Sequence, residues 1–570
     1  MNRRAKSPDR PQSGSADSTK LEPPAGAAGA FMLTLAGSAL LFLAMPPVDW
    51  GPLGVLAPVP WLVLVARPRP LARREYIAVW SGSVSFWLAL LHWMPYPFPA
   101  IYAGWLAISF YLALYLPLFV SLARLGVHRC RLNIVVVAPV VWVGLELVRA
   151  HLLSGFTFGT LGHTLYRTPA LIQVADLGGA YAVSFVMMLV AACLTVALGV
   201  VPESSSPSNP SHPWRRIGPI VVAAVVLAAT WAYGAWRLRA IDVEAQQPPL
   251  LRAALIQGSI DINVKADPAA QERIYQDHRR LSLEAVDRHD NLDLVIWPET
   301  MYRAPLILID DDARLPEGTP GSVEIARQNG EVALQGLADL ERAVGVPMLI
   351  GLDVIQVGDG VIDNFNSAVL VEVDGGLAAR YDKMHPVMFG EYIPLGSTFP
   401  LFYELTAGAL PRGIRAGERL EAFEVAGARL AVNICYETTV PHLLRRQVRA
   451  MGAAGAEPDV LVNLTNDGWF YGASELDLHL ISGLFRAVEL RKPLLIAANT
   501  GFSAWVDGGG RLRAQGGRRV EDIVLAEPRR CELTSWYTRW GDTPAGLCLA
   551  ACAALVIVAV RDRRRHRTVQ

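Results

Sequence analysis

The chain has 570 residues, 52% of them hydrophobic, and a mean hydropathy of +0.30, which excludes an ordinary soluble protein. Lys plus Arg and Asp plus Glu number 52 each, so the formal net charge is zero and we expect no nucleic-acid partner. The six cysteines show no metal-type spacing, so we expect neither a metal nor a cofactor.

Changes in composition predict four regions along the chain. Residues 1–27 are rich in Ser, Pro, Arg and Lys and are expected to form a disordered cytoplasmic tail. Residues 28–240 are mostly apolar, residues 241–540 have the composition of a soluble domain, and residues 541–570 hold one more apolar stretch before a basic tail. We therefore expect a seven-helix transmembrane domain, a polar domain, and a C-terminal transmembrane helix.

Eight apolar stretches approach the roughly 20 residues that a helix needs to cross the hydrocarbon core of a bilayer. They cover residues 28–46, 51–66, 76–94, 101–123, 133–151, 180–201, 217–236 and 544–560. Seven of them follow one another with short connections, which is typical of a membrane-spanning helical bundle and not of single buried core helices. The prediction is about eight transmembrane helices.

Lys and Arg are concentrated in alternate connections between these stretches. They occur in the N-terminal tail, after the second, fourth and sixth stretches, and in the C-terminal tail. With eight spans they all fall on one side, and basic connections are cytoplasmic. We therefore expect both termini in the cytoplasm and residues 241–540 on the extracytoplasmic face. The connection at 152–179 carries only Arg167, and it either lines a route to the site or is an ordinary loop.

Buried apolar runs recur in the polar domain and alternate with helical segments. The predicted strands are Leu251–Gln257, Leu292–Trp297, Met348–Leu352, Ser367–Val373, Leu430–Ile434, Val460–Leu464 and Leu494–Ala498, and the predicted helices are 269–289, 331–344 and 474–491. This pattern predicts a layered α/β fold. Functional side chains in such folds lie on the loops at the strand ends.

Three polar side chains of complementary chemistry follow such runs: Glu299 in Trp-Pro-Glu, Lys383 before Gly-Glu-Tyr, and Cys435 in Cys-Tyr-Glu. A thiol attacks a carbonyl only after losing its proton, and a carboxylate beside it can act as the base. A Lys ammonium ion can stabilise the resulting oxyanion. Any one of these residues is weak evidence by itself, but their order and flanking residues together predict a nucleophilic site.

These motifs resemble those of the nitrilase (carbon–nitrogen hydrolase) superfamily over about residues 250–530. The resemblance implies an α-β-β-α sandwich for residues 241–540 and a catalytic triad of Glu299, Lys383 and Cys435. The resemblance also implies a set of supporting residues around the triad. These are Glu391, Tyr392, Tyr436, Glu437, Asn466 and Trp469.

Together with the multi-span region and the C-terminal span, the whole chain resembles the apolipoprotein N-acyltransferase family of bacterial envelopes. That resemblance implies transfer of a fatty acyl chain from a phospholipid donor to the N-terminal amine of a diacylglyceryl-Cys apolipoprotein. The reaction would pass through a thioester on Cys435, with the catalytic domain on the periplasmic face of the bacterial inner membrane.

Two other functions stay open at this point. A membrane-bound carbon–nitrogen hydrolase, an amidase, could use the same triad with water as the acceptor, although a single span would tether it. A transporter with an inactive polar domain would need charges inside the membrane, and Glu146 and Arg149 are spaced to pair on one helix face.

Overall fold

The computed structural model describes residues 26–97, 101–199, 214–244, 246–261, 267–388, 390–392 and 413–568. The predicted disordered tail, residues 1–27, lies almost wholly outside these residues.

Apolar helices make up the N-terminal part of the chain. They are α1 (Gly26–Leu43), α2 (Leu53–Leu56), α3 (Pro58–Ala66), α4 (Arg73–Leu90), α5 (Ile101–Ala113), α6 (Tyr115–Arg124), α7 (Ile134–His151), α8 (Pro169–Ile172), α9 (Ala175–Gly178), α10 (Ala180–Ala197) and α11 (Trp214–Glu244). Helices α7 and α10 pack together, and α1 packs against α4. The result is a helical bundle with a large apolar core, which also buries polar side chains such as Glu75, Arg124 and Glu146.

In the part of the chain that the structure describes, the polar domain contains two β-sheets and five α-helices. Its strands are β1 (Ala253–Gln257), β2 (Leu294–Ile296), β3 (Tyr302–Arg314), β4 (Met348–Asp359), β5 (Ile362–Val371), β6 (Leu377–Asp382), β7 (Phe423–Val425), β8 (Ala428–Ile434), β9 (Val460–Thr465), β10 (Leu494–Ala498), β11 (Ala504–Val506), β12 (Leu512–Gln515) and β13 (Asp522–Ala526). Its helices are α12 (Gln271–Arg288), α13 (Val323–Val344), α14 (Pro441–Ala453), α15 (Glu475–Leu490) and α16 (Trp536–Trp540), and α17 (Thr543–Thr568) ends the described chain.

Six helices among the described residues are long and apolar enough to cross a membrane. They are Gly26–Leu43, Ile101–Arg129, Ile134–Ser154, Ala180–Ala197, Arg216–Glu244 and Thr543–Arg561. The other two predicted stretches are also helical, but α2 and α3 form a short broken pair and α4 begins with three charged residues. The chain is therefore a multi-pass membrane protein, and a total of eight spans stays a prediction.

The polar domain is an α-β-β-α sandwich, as predicted. One sheet has the order β13-β1-β2-β4-β5-β6 with β3 beside β4, and the other has the order β12-β11-β10-β9-β8-β7. Apolar side chains from both sheets, such as Leu255 on β1 and Val432 on β8, form one core between them. Helices α12 and α13 cover the outer face of the first sheet, and α14 and α15 cover that of the second.

Helix α15 joins the two parts of the protein, because all of its residues except Asp477 are buried. One face packs against the second sheet through Leu476, Leu480, Leu484 and Ala487. The opposite face packs into the helical bundle through Leu478, Ile481, Phe485 and Val488. Each set repeats at helical spacing, so a single helix serves two cores.

The connection at 152–179 lies between the bundle and the sandwich, and most of it is buried. Thr157 donates from its hydroxyl to the carbonyl oxygen of Thr439 at 2.6 Å. The hydroxyl of Tyr436 donates to the carbonyl oxygen of Gly155 at 2.7 Å. The segment therefore contacts the residues just after Cys435, which distinguishes it from an ordinary exposed loop.

Glu146 and Arg149 on α7 bond to this segment. Glu146 Oε1 accepts from the backbone N–H of Leu161 at 3.0 Å, and an Arg149 guanidinium N–H donates to Thr160 Oγ1 at 3.0 Å. Polar groups buried in a helical bundle need such partners. Both residues therefore help to fix the segment that contacts the polar domain.

A second polar joint is centred on Asp176 in α9, which is fully buried. Its Oδ2 accepts from Arg491 Nη2 at 2.5 Å and lies 2.8 Å from Arg237 Nε, and its Oδ1 accepts from the Tyr233 hydroxyl at 2.7 Å. Arg491 follows α15 in the sandwich, whereas Arg237 and Tyr233 belong to α11. One carboxylate thus ties the bundle to the sandwich.

Substitution of Arg491 by Met should weaken this joint, because it leaves part of a buried charge without compensation. We expect the free energy of unfolding to fall by about 3 kcal/mol, seen as a lower midpoint of thermal unfolding in detergent. Arg342→Met is the matched control, since Arg342 pairs with Asp339 on the surface and exposed pairs contribute at most about 1 kcal/mol. Equal midpoints for the two variants would contradict a stabilising role for the joint.

Candidate active site

Strand topology brings the predicted residues together at one edge of the sandwich. Strands β2 and β4 are parallel, β5 is antiparallel to β4, and β6 is antiparallel to β5, so β2 and β6 end at the same edge. Glu299 follows β2, Lys383 follows β6, and Cys435 follows β8 of the facing sheet. Residues that are far apart in sequence therefore meet at strand ends, as expected for a layered α/β fold.

Cys435 lies in a sharp turn between β8 and a short 3₁₀ helix, with a φ of 53°. This left-handed conformation costs a non-glycine residue about 1–2 kcal/mol and persists only where the surroundings fix it. Two donors fix the carbonyl oxygen of Cys435: Asn463 Nδ2 and His479 Nε2, each at 3.1 Å.

Lys383 is only 1% exposed and lies between two carboxylates. Its Nζ is 2.7 Å from Glu391 Oε1 and 3.3 Å from Glu299 Oε1. Asn366 Nδ2 donates to the same Glu299 oxygen at 2.7 Å and reaches Glu391 Oε1 at 3.4 Å. Buried charges are tolerated when they are paired in this way.

The protonation states of Lys383 and Cys435 follow from their surroundings. Burial lowers the pKa of Lys383, but Glu391 and Glu299 outweigh it and raise that pKa well above its ordinary value. Burial raises the pKa of the Cys435 thiol well above its ordinary value, the Glu299 carboxylate raises it further, and the Lys383 ammonium ion opposes both. The resting site therefore holds an ammonium ion beside a neutral thiol, so attack by the thiol needs a base.

Both oxygens of Glu299 are held in place. Oε1 accepts from Asn366 and Lys383, and Oε2 accepts from the backbone N–H of Asn466 at 3.0 Å. The Asn466 side chain in turn accepts from Asn499 Nδ2 at 2.8 Å. A base whose orientation is fixed in advance can remove a proton without reorganising its surroundings.

Glu437 ties the Lys383 loop to the Cys435 turn. Its Oε1 accepts from the backbone N–H groups of Met384 and His385 at 2.8 and 2.9 Å, and its Oε2 accepts from that of Ile434 at 2.7 Å. The Tyr381 hydroxyl donates to the same carboxylate at 2.9 Å. The spacing between Lys383 and Cys435 is therefore set by one fully buried side chain.

The remaining predicted residues surround this centre. Tyr436 faces the bundle, with its ring against Phe158. Trp469 is half-buried in the turn after β9. Tyr392 is half-buried too, and its backbone forms a β-bridge with Met388 on the Lys383 loop.

Four polar residues at the site were not selected as site residues from the sequence, although Asn463 and Asp467 lie in the stretch 463–470 that resembles a loop of the family. Asn366 and Asn463 lie inside buried strands, where a polar side chain in an apolar run was an available signal. Asp467 follows β9, and His479 lies on the apolar helix α15. A lone histidine on such a helix is more often a core residue, and nothing in the sequence around His479 gave a reason to select it.

The arrangement supplies a thiol nucleophile, an oriented carboxylate and a buried ammonium ion at one strand edge. These are the groups that covalent acyl chemistry needs: a nucleophile, a base for its proton, and a positive charge for the oxyanion. The Carbon-nitrogen hydrolase family matches residues 252–538, which is the sandwich. The Apolipoprotein N-acyltransferase N-terminal domain matches residues 37–193, within the helical bundle.

Similar proteins span the whole chain. An apolipoprotein N-acyltransferase of Rhodopirellula baltica is 32% identical over 93% of this chain and 97% of its own length. An apolipoprotein N-acyltransferase of Geobacter metallireducens is 32% identical over 94% of this chain and 96% of its own length. A solved structure, a mutant of the Nesterenkonia AN1 amidase from the nitrilase superfamily, covers 51% of this chain and 95% of its own at 16% identity and a TM-score of 0.34.

The two family matches together cover the bundle and the sandwich. The relatives align over nearly their whole length at 32% sequence identity, which is enough to show membership of the family. This agreement favours an acyl-transferring enzyme over the alternatives of hydrolysis and transport. The chain belongs to the apolipoprotein N-acyltransferase family.

Proposed function

We propose that this enzyme transfers a fatty acyl chain from a phospholipid to the N-terminal amine of a diacylglyceryl-Cys apolipoprotein. The observation that carries the proposal is the grouping of a half-buried Cys435 with buried Glu299 and Lys383, in a domain docked directly onto a multi-pass helical bundle. Both proposed substrates are anchored in the membrane, so a site that lies against the membrane-spanning bundle is close to them. The two family matches support the same assignment.

In the first half-reaction Glu299 removes the thiol proton and Cys435 Sγ attacks the ester carbonyl at the sn-1 position of the phospholipid. The carbonyl oxygen becomes an oxyanion, which the Lys383 ammonium ion stabilises. Collapse of the tetrahedral intermediate breaks the ester C–O bond. The leaving alkoxide takes the proton from Glu299, so a lysophospholipid departs and a thioester remains on Cys435.

In the second half-reaction the neutral α-amino group of the apolipoprotein attacks the thioester carbonyl. A new C–N bond forms, Glu299 accepts the proton that the amine loses, and Lys383 again faces the oxyanion. The C–S bond then breaks and the thiolate regains its proton from Glu299. The products are the N-acylated lipoprotein and the free thiol.

Contacts at the two ends of the bundle support a periplasmic catalytic domain on the bacterial inner membrane. Arg124, after the fourth predicted span, donates to the carbonyl oxygens of Leu64 at 2.7 Å and Arg69 at 2.6 Å, around the connection after the second span. Two basic connections thus share one end, and basic ends are cytoplasmic. At the other end, Tyr166 donates to Asp49 at 2.7 Å beside the sandwich.

The orientation can be tested with reporter fusions that are active only outside the cytoplasm. We expect activity when the reporter is inserted in the exposed turn at Ala426 and Gly427, and none when it follows Gln570. The reverse pattern would contradict the periplasmic assignment.

The thioester can be tested by mass spectrometry of the purified enzyme after incubation with phospholipid. We expect a fatty-acyl adduct on Cys435 that is lost, with transfer to the amine, when a diacylglyceryl-Cys peptide is added. Cys435→Ser should form no thioester and lose on the order of 10³-fold or more in rate, because a hydroxyl is far less acidic than a thiol.

Cys130→Ser is the matched control, since Cys130 lies in the helical bundle, and it should behave as the native enzyme. Release of free fatty acid without transfer to the peptide would favour hydrolysis. Normal turnover by Cys435→Ser would contradict the assignment of the nucleophile.

Glu391→Gln should change the pH dependence of acyl transfer. The pKa of Lys383 is raised by Glu391 and Glu299, so the ammonium ion is present below that pKa and is lost as the pH rises through it. Removing one carboxylate lowers the pKa, and the alkaline fall in rate should move to lower pH by about one unit or more. The control is Glu424→Gln, at an exposed position on β7. Identical profiles would show that Glu391 does not act through Lys383.

A further inference from the structure

His479 lies on α15 directly behind the nucleophile and is 4% exposed. Its Nε2 is 3.1 Å from the carbonyl oxygen of Cys435, and its Nδ1 is 3.2 Å from Asp467 Oδ1. Asp467 Oδ1 also accepts from the Thr465 hydroxyl at 2.9 Å. The ring therefore bridges the turn that carries the thiol and the loop after β9.

The partners of the ring determine its protonation state. A carbonyl oxygen only accepts, so Nε2 carries a proton, and an ionised carboxylate only accepts, so Nδ1 carries one too. A neutral imidazole has a single N–H, so His479 makes both bonds as an imidazolium ion. Burial lowers the pKa of His479, but the Asp467 carboxylate outweighs it, with help from the Cys435 carbonyl, and raises that pKa above its ordinary value.

The other titratable groups near the ring are consistent with this state. Glu299 adds a second carboxylate that favours the cation. Glu475, one turn earlier on α15, has a pKa well above its ordinary value because of burial and the nearby Asp467, which disfavours its charged form. Polar atoms of Asp467, Glu475 and His479 lie within 4.8 Å of one another, but a ring with two N–H groups has no lone pair for a metal ion.

We propose that His479 is a positioning residue, an imidazolium ion that holds the Cys435 carbonyl oxygen and keeps the thiol directed at the acyl carbonyl in both half-reactions. The φ of 53° at Cys435 is a strained conformation for a non-glycine residue, and such a conformation persists only where its surroundings restrain it. Asp467 keeps the ring charged and correctly rotated. This inference rests on the proposed function, since it assigns Cys435 as the nucleophile.

Three variants separate the parts of this arrangement. His479→Leu removes both hydrogen bonds and the charge. His479→Gln keeps a donor that can reach the Cys435 carbonyl oxygen but has no charge. Asp467→Asn keeps the ring but removes the carboxylate that raises its pKa. The control is His289→Gln, at the end of α12 and away from the site.

The rate of acyl-enzyme formation and its pH profile are measured for each full-length variant, with the thermal midpoint as a check on folding. We expect kcat to fall about 10- to 100-fold in His479→Leu, by analogy with residues that orient a reacting group, with KM unchanged. His479→Gln should be less impaired, because it retains the bond to the backbone.

Asp467→Asn gives the sharpest result, because the proposal predicts the sign of its pH effect. Without the carboxylate the pKa of His479 falls toward or below about 6.5, the ordinary value for histidine. The imidazolium ion is then lost as the pH rises through that value. The variant should be more active on the acidic side and lose rate toward neutral pH, where the native enzyme does not.

Other outcomes distinguish this inference from the proposed function. If the native enzyme forms no adduct on Cys435, the proposed function fails. If it forms the adduct but His479→Leu forms it equally fast, or if Asp467→Asn keeps the native pH profile, the positioning role is wrong. A uniform loss of rate in all three variants with a raised KM and no change in pH profile would also overturn it.

Discussion

The contact between the sandwich and the helical bundle depends on one helix, α15, which has no exposed face. Helix α15 packs against the second sheet on one side and against the helical bundle on the other, and nearly all of its residues are buried. An amphipathic surface helix has one apolar stripe, whereas a helix between two cores needs two. The position of the sandwich on the membrane domain is therefore fixed by side-chain packing on both faces of this helix.

The same helix carries His479, so the packing that docks the domain also reaches the Cys435 turn. On the bundle side, the segment at 152–179 contacts Tyr436 and Thr439, the residues that follow Cys435. The Cys435 turn is thus contacted from the sandwich through His479 and from the bundle through this segment. A strained backbone conformation persists only in such over-determined surroundings, which explains why the reactive turn lies at the junction of the two parts and not on a free surface.

Buried charge is the second constraint on the site. Lys383 is almost inaccessible to water, and its ammonium ion is tolerated because Glu391 and Glu299 both contact it. Burial raises the pKa of the Cys435 thiol, the Glu299 carboxylate raises it further, and the Lys383 ammonium ion opposes both. Glu391 contributes much of the compensation that Lys383 requires, and in the proposed reaction this leaves Glu299 available as the base.

The sequence by itself determined the apolar helices, the buried strands and the three residues at strand ends, because periodicity and local motifs are properties of neighbouring residues. The sequence did not indicate β3, because its three consecutive aspartates obscure the apolar pattern of a strand. This strand lies off the main strand order and pairs with β4. Asn366, which contacts two carboxylates, and His479, which bonds to the Cys435 backbone, were also missed. Their partners are far away in the chain, so only the tertiary structure decided which buried polar groups meet, and on which face of α15 the membrane domain packs.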